Sequence, residues 1–231
     1  MSGHKDACMK TNSLIIKFVS NVISPLLALA AFSTQSSAAI AYAYTGPTAG
    51  NQNFTGALGL DFDVLSSIQI TEVMAFDDDA DGWSTGSNIS VVIYDRDTQL
   101  SITPNYNFSI AQPGALAAGS YRSQILSTPI TLSAGGRYSI VAWGFNANDQ
   151  LYNSTVSGVG APSTDDGGGL ISFTGLARNS ATTNAYPARP DTGPANRYGS
   201  ASFAFQAVPE PTGVMLLSLG SLLMLRRRRN P

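Results

Sequence analysis

Cysteine and histidine are nearly missing from these 231 residues: Cys8 and His4 are the only ones, and both precede the apolar stretch near the start. A domain that follows that stretch has neither thiol nor imidazole. Cys or His nucleophile–base pairs, thiolate or imidazole metal sites and disulfides are thereby excluded from it, and its stability has to come from its core. Charged residues make up only 12% of the chain, about half the usual share, and lysine is absent after Lys17. Between residues 40 and 208 six arginines face 13 acidic residues, a formal charge of −7. The basic surface that phosphate backbones require is missing, so nucleic acid is not an expected partner. No helical period of useful length occurs in this stretch.

The two ends are of a different character. Lys5, Lys10 and Lys17 precede an apolar run from Phe18 to Phe32, and small residues follow at Ser36-Ser37-Ala38-Ala39-Ile40-Ala41. A basic segment, an apolar segment and an A-x-A-like site read as a secretory signal peptide over residues 1–39, cut after Ala39 or after Ala41. A start at Met9 would give the leader a more ordinary length. Its expected partners are the Sec-type export machinery and a signal peptidase. The other end reads Val208-Pro209-Glu210-Pro211, then an apolar run from Val214 to Leu225, then Arg226, Arg227, Arg228 and Arg229. As a helix, Thr212 to Leu225 would span about 21 Å, short of the ~30 Å hydrocarbon core, and would cross by thinning the bilayer with the arginines snorkelling. Those arginines orient the tail with its basic end in the cytoplasm, which puts the domain outside.

Motif, short apolar helix and basic cluster in that order, over residues 209–231, resemble the PEP-CTERM sorting signal. The resemblance implies recognition of Pro209, Glu210 and Pro211 by an exosortase, a membrane-embedded transpeptidase-like enzyme. It also implies a Gram-negative host that makes extracellular polysaccharide. The chain would then be anchored transiently in the inner membrane and pass on to the cell surface or extracellular matrix. An ordinary tail anchor would give the same topology without processing.

Residues 40–208 read as one exported domain. Ser67–Val73 opens with polar/apolar alternation, the mark of a half-buried strand. Asn88–Tyr94 and Tyr138–Trp143 are β-branched and aromatic and apolar on both faces, as central strands are. Further strands are expected at Gly56–Phe62, Ser101–Ile110, Tyr121–Leu126, Ile130–Leu132, Leu170–Thr174 and Ser202–Gln206, with Gly, Pro, Asn and Asp between them. Ser157–Gly169 and Ala177–Ser200 read as long loops. The fold class expected is all-β, an antiparallel β-sandwich of jelly-roll-like kind. Phe76-Asp77, Ile93-Tyr94-Asp95 and Leu132–Gly135 before Tyr138-Ser139-Ile140 also resemble the β-sandwich domains of PEP-tailed surface proteins, over Phe54 to Phe145. That likeness implies a sandwich and no defined activity.

Asp77-Asp78-Asp79-Ala80-Asp81-Gly82 is the sharpest motif. Asp77, Asp79 and Asp81 occupy positions 1, 3 and 5 of a D-x-D-x-D-G calcium loop, Gly82 the turn at position 6, and the Trp83 carbonyl position 7. Position 12 is Asn88 where a bidentate Glu belongs, and no helices flank the loop. It reads either as a Ca2+ loop between strands or as a solvated acidic turn. Asp95 and Asp97, and Asn146, Asn148 and Asp149, read as binding groups or as turn caps. Trp143 reads as core. Trp83 and Tyr152 are candidates for stacking on a sugar ring, or for partly buried packing. With Glu72 the only Glu in the domain and no His, neither a carboxylate pair nor a triad stands out. The function expected is a non-enzymatic surface or matrix protein with a structural, adhesive or polysaccharide-binding role. The alternative is a secreted jelly-roll carbohydrate-active enzyme using Asp carboxylates.

Overall fold

A computed structural model describes residues 38–154 and 160–208. Leader residues 1–37, Pro209–Pro211, the apolar tail and Arg226–Arg229 lie outside these residues. Among the described residues, no helix is long and apolar enough to cross a membrane.

The described residues form an all-β fold in which every strand pairing is antiparallel. Its strands are β1 (Ala39–Ile40), β2 (Tyr42–Ala43), β3 (Ala57–Val64), β4 (Ile68–Phe76), β5 (Ile89–Asp95), β6 (Tyr106–Phe108), β7 (Ala115–Leu116) and β8 (Tyr121–Leu132). Then follow β9 (Arg137–Trp143), β10 (Tyr152–Asn153), β11 (Ser163–Thr164), β12 (Ile171–Ser180), β13 (Arg189–Asp191), β14 (Tyr198–Gly199) and β15 (Ala201–Ala207). One sheet runs β1-β15-β4-β8-β7 and the other β13-β12-β3-β9-β5-β6, while β10–β14 and β11–β2 form short ribbons.

Period-2 alternation makes the core. Leu58, Leu60, Phe62 and Val64 of β3, Ile89, Val91 and Ile93 of β5, and Ile140 and Ala142 of β9 point inward. There they meet Ile68, Ile70 and Val73 of β4 and Phe203 and Phe205 of β15. Phe62 and Phe203 join the two sheets with ring centroids 4.7 Å apart. The central-strand reading of β5 and β9 holds, since their outer faces are covered as well. Val92, Tyr94, Val141 and Trp143 form a second apolar cluster with Ala57, and Tyr186 packs over it. Trp143 is core, as its strand position predicts.

Three expectations change. Tyr121–Leu126 and Ile130–Leu132 belong to one strand, β8, whose register against β4 shifts between Ile70 and Glu72. Pro129 lies in that irregularity, where a missing N–H costs no ladder bond. Of Ser101–Ile110 only Tyr106–Phe108 is strand. Ala177–Ser200 is not a single loop: it holds the end of β12, all of β13 and β14. Pro190 is tolerated there because β13 is an edge strand.

Candidate functional site

The acidic motif follows β4 directly and turns through a short 3-10 segment, Asp78–Ala80. Gly82, at φ +104°, makes the turn assigned to motif position 6. The carboxylates do not converge. Asp77 is fully buried, and its Oδ2 is paired with Arg122 Nε of β8. Both Asp77 oxygens also accept the Gly82 N–H at 3.1 Å. Burial pushes the Asp77 carboxyl above its ordinary value, and Arg122 and the Gly82 N–H pull in the opposite direction. Asp78 accepts the N–H of Gly50 and, at 3.3 Å, that of Gln150. Asp79 and Asp81 are exposed, as is Asn88.

In this arrangement the first carboxylate of the loop holds a guanidinium. Among the described residues no three acidic, His or Cys side chains gather closely enough for a metal. The turn therefore closes on Arg122. The melting temperature in millimolar calcium is expected to match that in EDTA within about 1 °C; a calcium-dependent rise of several degrees would mean that Arg122 yields the site.

The other polar candidates fall into the same pattern. Asp149, buried, accepts the Ser84 N–H and the Ser87 hydroxyl. Asn146 caps its own loop, accepting the Asn148 N–H at 2.8 Å, and its amide donates to Ser87. Asp95 accepts the N–H groups of Asp97 and Thr98, both at 2.8 Å, and these turn bonds lower its carboxyl pKa. Asp97 pairs with Arg137. Asp77, Asp78 and Asp149 thus tie four chain segments, around residues 50, 82, 122 and 150, into one end of the fold.

Of the two readings of Trp83 and Tyr152, stacking on a sugar or packing, the structure shows packing. Trp83 is only 7% exposed, donates its indole N–H to the Pro113 carbonyl at 2.9 Å and packs against Phe108. Tyr152 is 1% exposed and meets Tyr44 edge-on. Neither offers a face to a ligand, and no aromatic residue among those described falls in the exposed class. A tyrosine is amphipathic in any sequence, but only the fold reveals Tyr44 against Tyr152, with Phe76 and Tyr121 packed in turn around Tyr44.

Two clusters carry no sequence signal: the members of the first lie far apart in the chain, and those of the second sit in the stretch read as a loop. Asp61, outward on β3 yet fully buried, has Arg178 Nε at 2.7 Å and Arg96 Nε at 3.1 Å from its Oδ2. Asp191 is held by Arg197, by the Tyr198 hydroxyl, by the Gly193 N–H at 3.1 Å and by the Asn179 amide at 3.2 Å. Burial raises the Asp191 pKa, but those donors outweigh it and the net shift is downward. In turn Tyr198 is pushed up to about 12 by burial and by Asp191. A carboxyl with a lowered folded pKa adds stability above its unfolded pKa, and that increment disappears as pH falls through the folded value. Asp191→Asn should therefore be less stable than the parent at pH 7, with the gap closing below the ordinary carboxylate value of 3.8. Urea denaturation at pH 7 and pH 3 measures it; a gap that does not narrow between the two would show that the carboxylate charge is not what the cluster uses.

These features define a class, an all-β antiparallel protein whose buried charges act as internal ties. No known protein family matches the chain, and no curated protein matches it either.

Proposed function

We propose that this chain is an exported β-sandwich retained at the cell surface or in the extracellular matrix as a structural or adhesive component, sorted there through its Pro-Glu-Pro tail. One observation carries the reading. The inward-held carboxylates Asp61, Asp77, Asp149 and Asp191 are each engaged by internal arginines, hydroxyls or backbone N–H groups. Such carboxylates hold loops in place; they do not face one another across a substrate bond. The position of the strands agrees: they run from Ala39 to Ala207, between the two segments read as signals.

Polysaccharide recognition would use polar loop groups, because none of the described aromatic side chains is fully exposed. The sorting partners are a signal peptidase at the leader and an exosortase at Pro209–Pro211. The test is a glycan array probed with the protein in calcium and in EDTA, followed by product analysis of any glycan bound. Retention without turnover supports the reading. Hydrolysis abolished by a single Asp→Asn change would replace it with the secreted carbohydrate-active enzyme.

A further inference from the structure

The leader sequence permits cleavage after Ala39 or Ala41, but the fold makes use of residues that those cuts would remove. Ala39 and Ile40 form β1, paired with Phe205 and Ala204 at the edge of the five-stranded sheet. The Ala41 N–H donates to the Phe203 carbonyl at 2.9 Å, and Ala41 is fully buried. Tyr42 is fully buried too; its N–H donates to Ser202 Oγ at 3.0 Å and its ring lies 5.0 Å from Phe173. A cut after Ala41 would delete β1 and place a new α-ammonium at the buried Tyr42 nitrogen, whose acceptor is a neutral hydroxyl, Ser202 Oγ. A cut after Ala39 would remove one of the two residues of β1. Ala38, by contrast, is exposed and precedes the first paired residue.

We infer that the leader is removed at the Ala38–Ala39 bond, with Ala38 at −1 and Ser36 at −3. Both are small, as a signal peptidase requires. Water adds across the peptide bond in the peptidase site, leaving a carboxylate on Ala38 and an ammonium on Ala39. That ammonium lies at a sheet edge, within reach of solvent. Ala39, Ile40, Ala41 and Tyr42 all stay with the folded domain and close its edge. This inference rests on the export reading above, and it moves the border between leader and domain one residue earlier than residues 1–39.

The experiment maps the amino terminus of the full chain, expressed with its own leader and tail in a Gram-negative host and recovered from the envelope and culture fluid. No Lys or Arg lies between Lys17 and Arg96, so trypsin is unsuitable. Labelling of free amines followed by cleavage ahead of Asp61 yields a terminal peptide ending at Leu60. A labelled Ala39 is the expected result. A terminus at Ile40 or Tyr42, or anywhere ahead of Ala39 within the leader, overturns the site while leaving export standing. A mature protein that still begins at Met1 or Met9 overturns both. Ala38→Leu supplies a second readout: the form beginning at Ala39 should fall at least tenfold, with precursor accumulating. An unchanged yield of that form would also overturn the assignment.

Discussion

Replacing Arg122 with alanine is expected to lower the melting temperature by roughly 10 °C, corresponding to about 3–5 kcal/mol at neutral pH. The reason is the imbalance it creates. Asp77 is fully buried, and without Arg122 its charge is left with the Gly82 N–H as its nearby donor. Asp77→Asn should cost less. Arg122 keeps 17% of its side chain exposed, so its guanidinium can turn to water when the carboxylate is removed. The pH dependence supplies a second check. Burial already raises the Asp77 pKa, and loss of Arg122 raises it further. A carboxyl with a raised folded pKa regains stability as pH falls towards that value, so the deficit of Arg122→Ala should shrink on acidification. Thermal melts of both variants between pH 4 and pH 7 decide the matter; equal losses at every pH would mean that the ion pair does not hold the turn.

The same residues show what could be read in advance. Strands β3, β4, β5, β9 and β15 were legible because each alternates or carries β-branched and aromatic residues, and their pattern has a period that sequence displays directly. The strand β8 was split in two because Pro129 punctuates it, and only the register with β4 shows that the chain continues past a bulge. β13 and β14 are hidden in a Pro-, Asn- and Gly-rich segment, where β13 folds back on β12 and β14 finds its partner only in the distant β10. The acidic turn was located correctly, down to the conformation of Gly82. Its partner was not, because Arg122 lies 45 residues away and comes alongside only through the β4–β8 register, which sets Ala75 opposite it. Trp83 and Tyr152 stay open between stacking and packing in the sequence for a related reason: an amphipathic ring has one composition whether its apolar face meets a ligand or a neighbouring strand.

The arginine–aspartate arrangement on the outer face of the six-stranded sheet gives the other large expected effect. Asp61 projects from β3 beneath the segment between β12 and β13. It holds Arg178, whose guanidinium lies 5.3 Å from the Tyr186 ring, and Arg96, which also reaches Asp63 at 2.7 Å. One carboxylate thus fastens both the turn after β5 and the segment that packs over Val92, Tyr94, Val141 and Trp143. Asp61→Ala should cost about 3–5 kcal/mol, since two half-buried guanidinium groups lose their acceptor. In a Trp83→Phe background, Trp143 becomes the single indole and its emission should shift to the red as the cover loosens. The two arginines should not contribute independently. Losing Arg96 leaves Asp61 neutralised by Arg178, and losing Arg178 leaves it neutralised by Arg96, so either single alanine change should be tolerated at about 1–2 kcal/mol. Losing both leaves a buried carboxylate alone, and the double change should exceed the sum of the singles by at least about 1 kcal/mol. Urea denaturation of the four proteins in this cycle gives that coupling directly. Additivity within about 0.5 kcal/mol would mean that each arginine is held by its other contacts, Arg96 by Asp63 and Arg178 by Tyr186 and the Ala188 carbonyl, and that Asp61 is not the common anchor of the two segments.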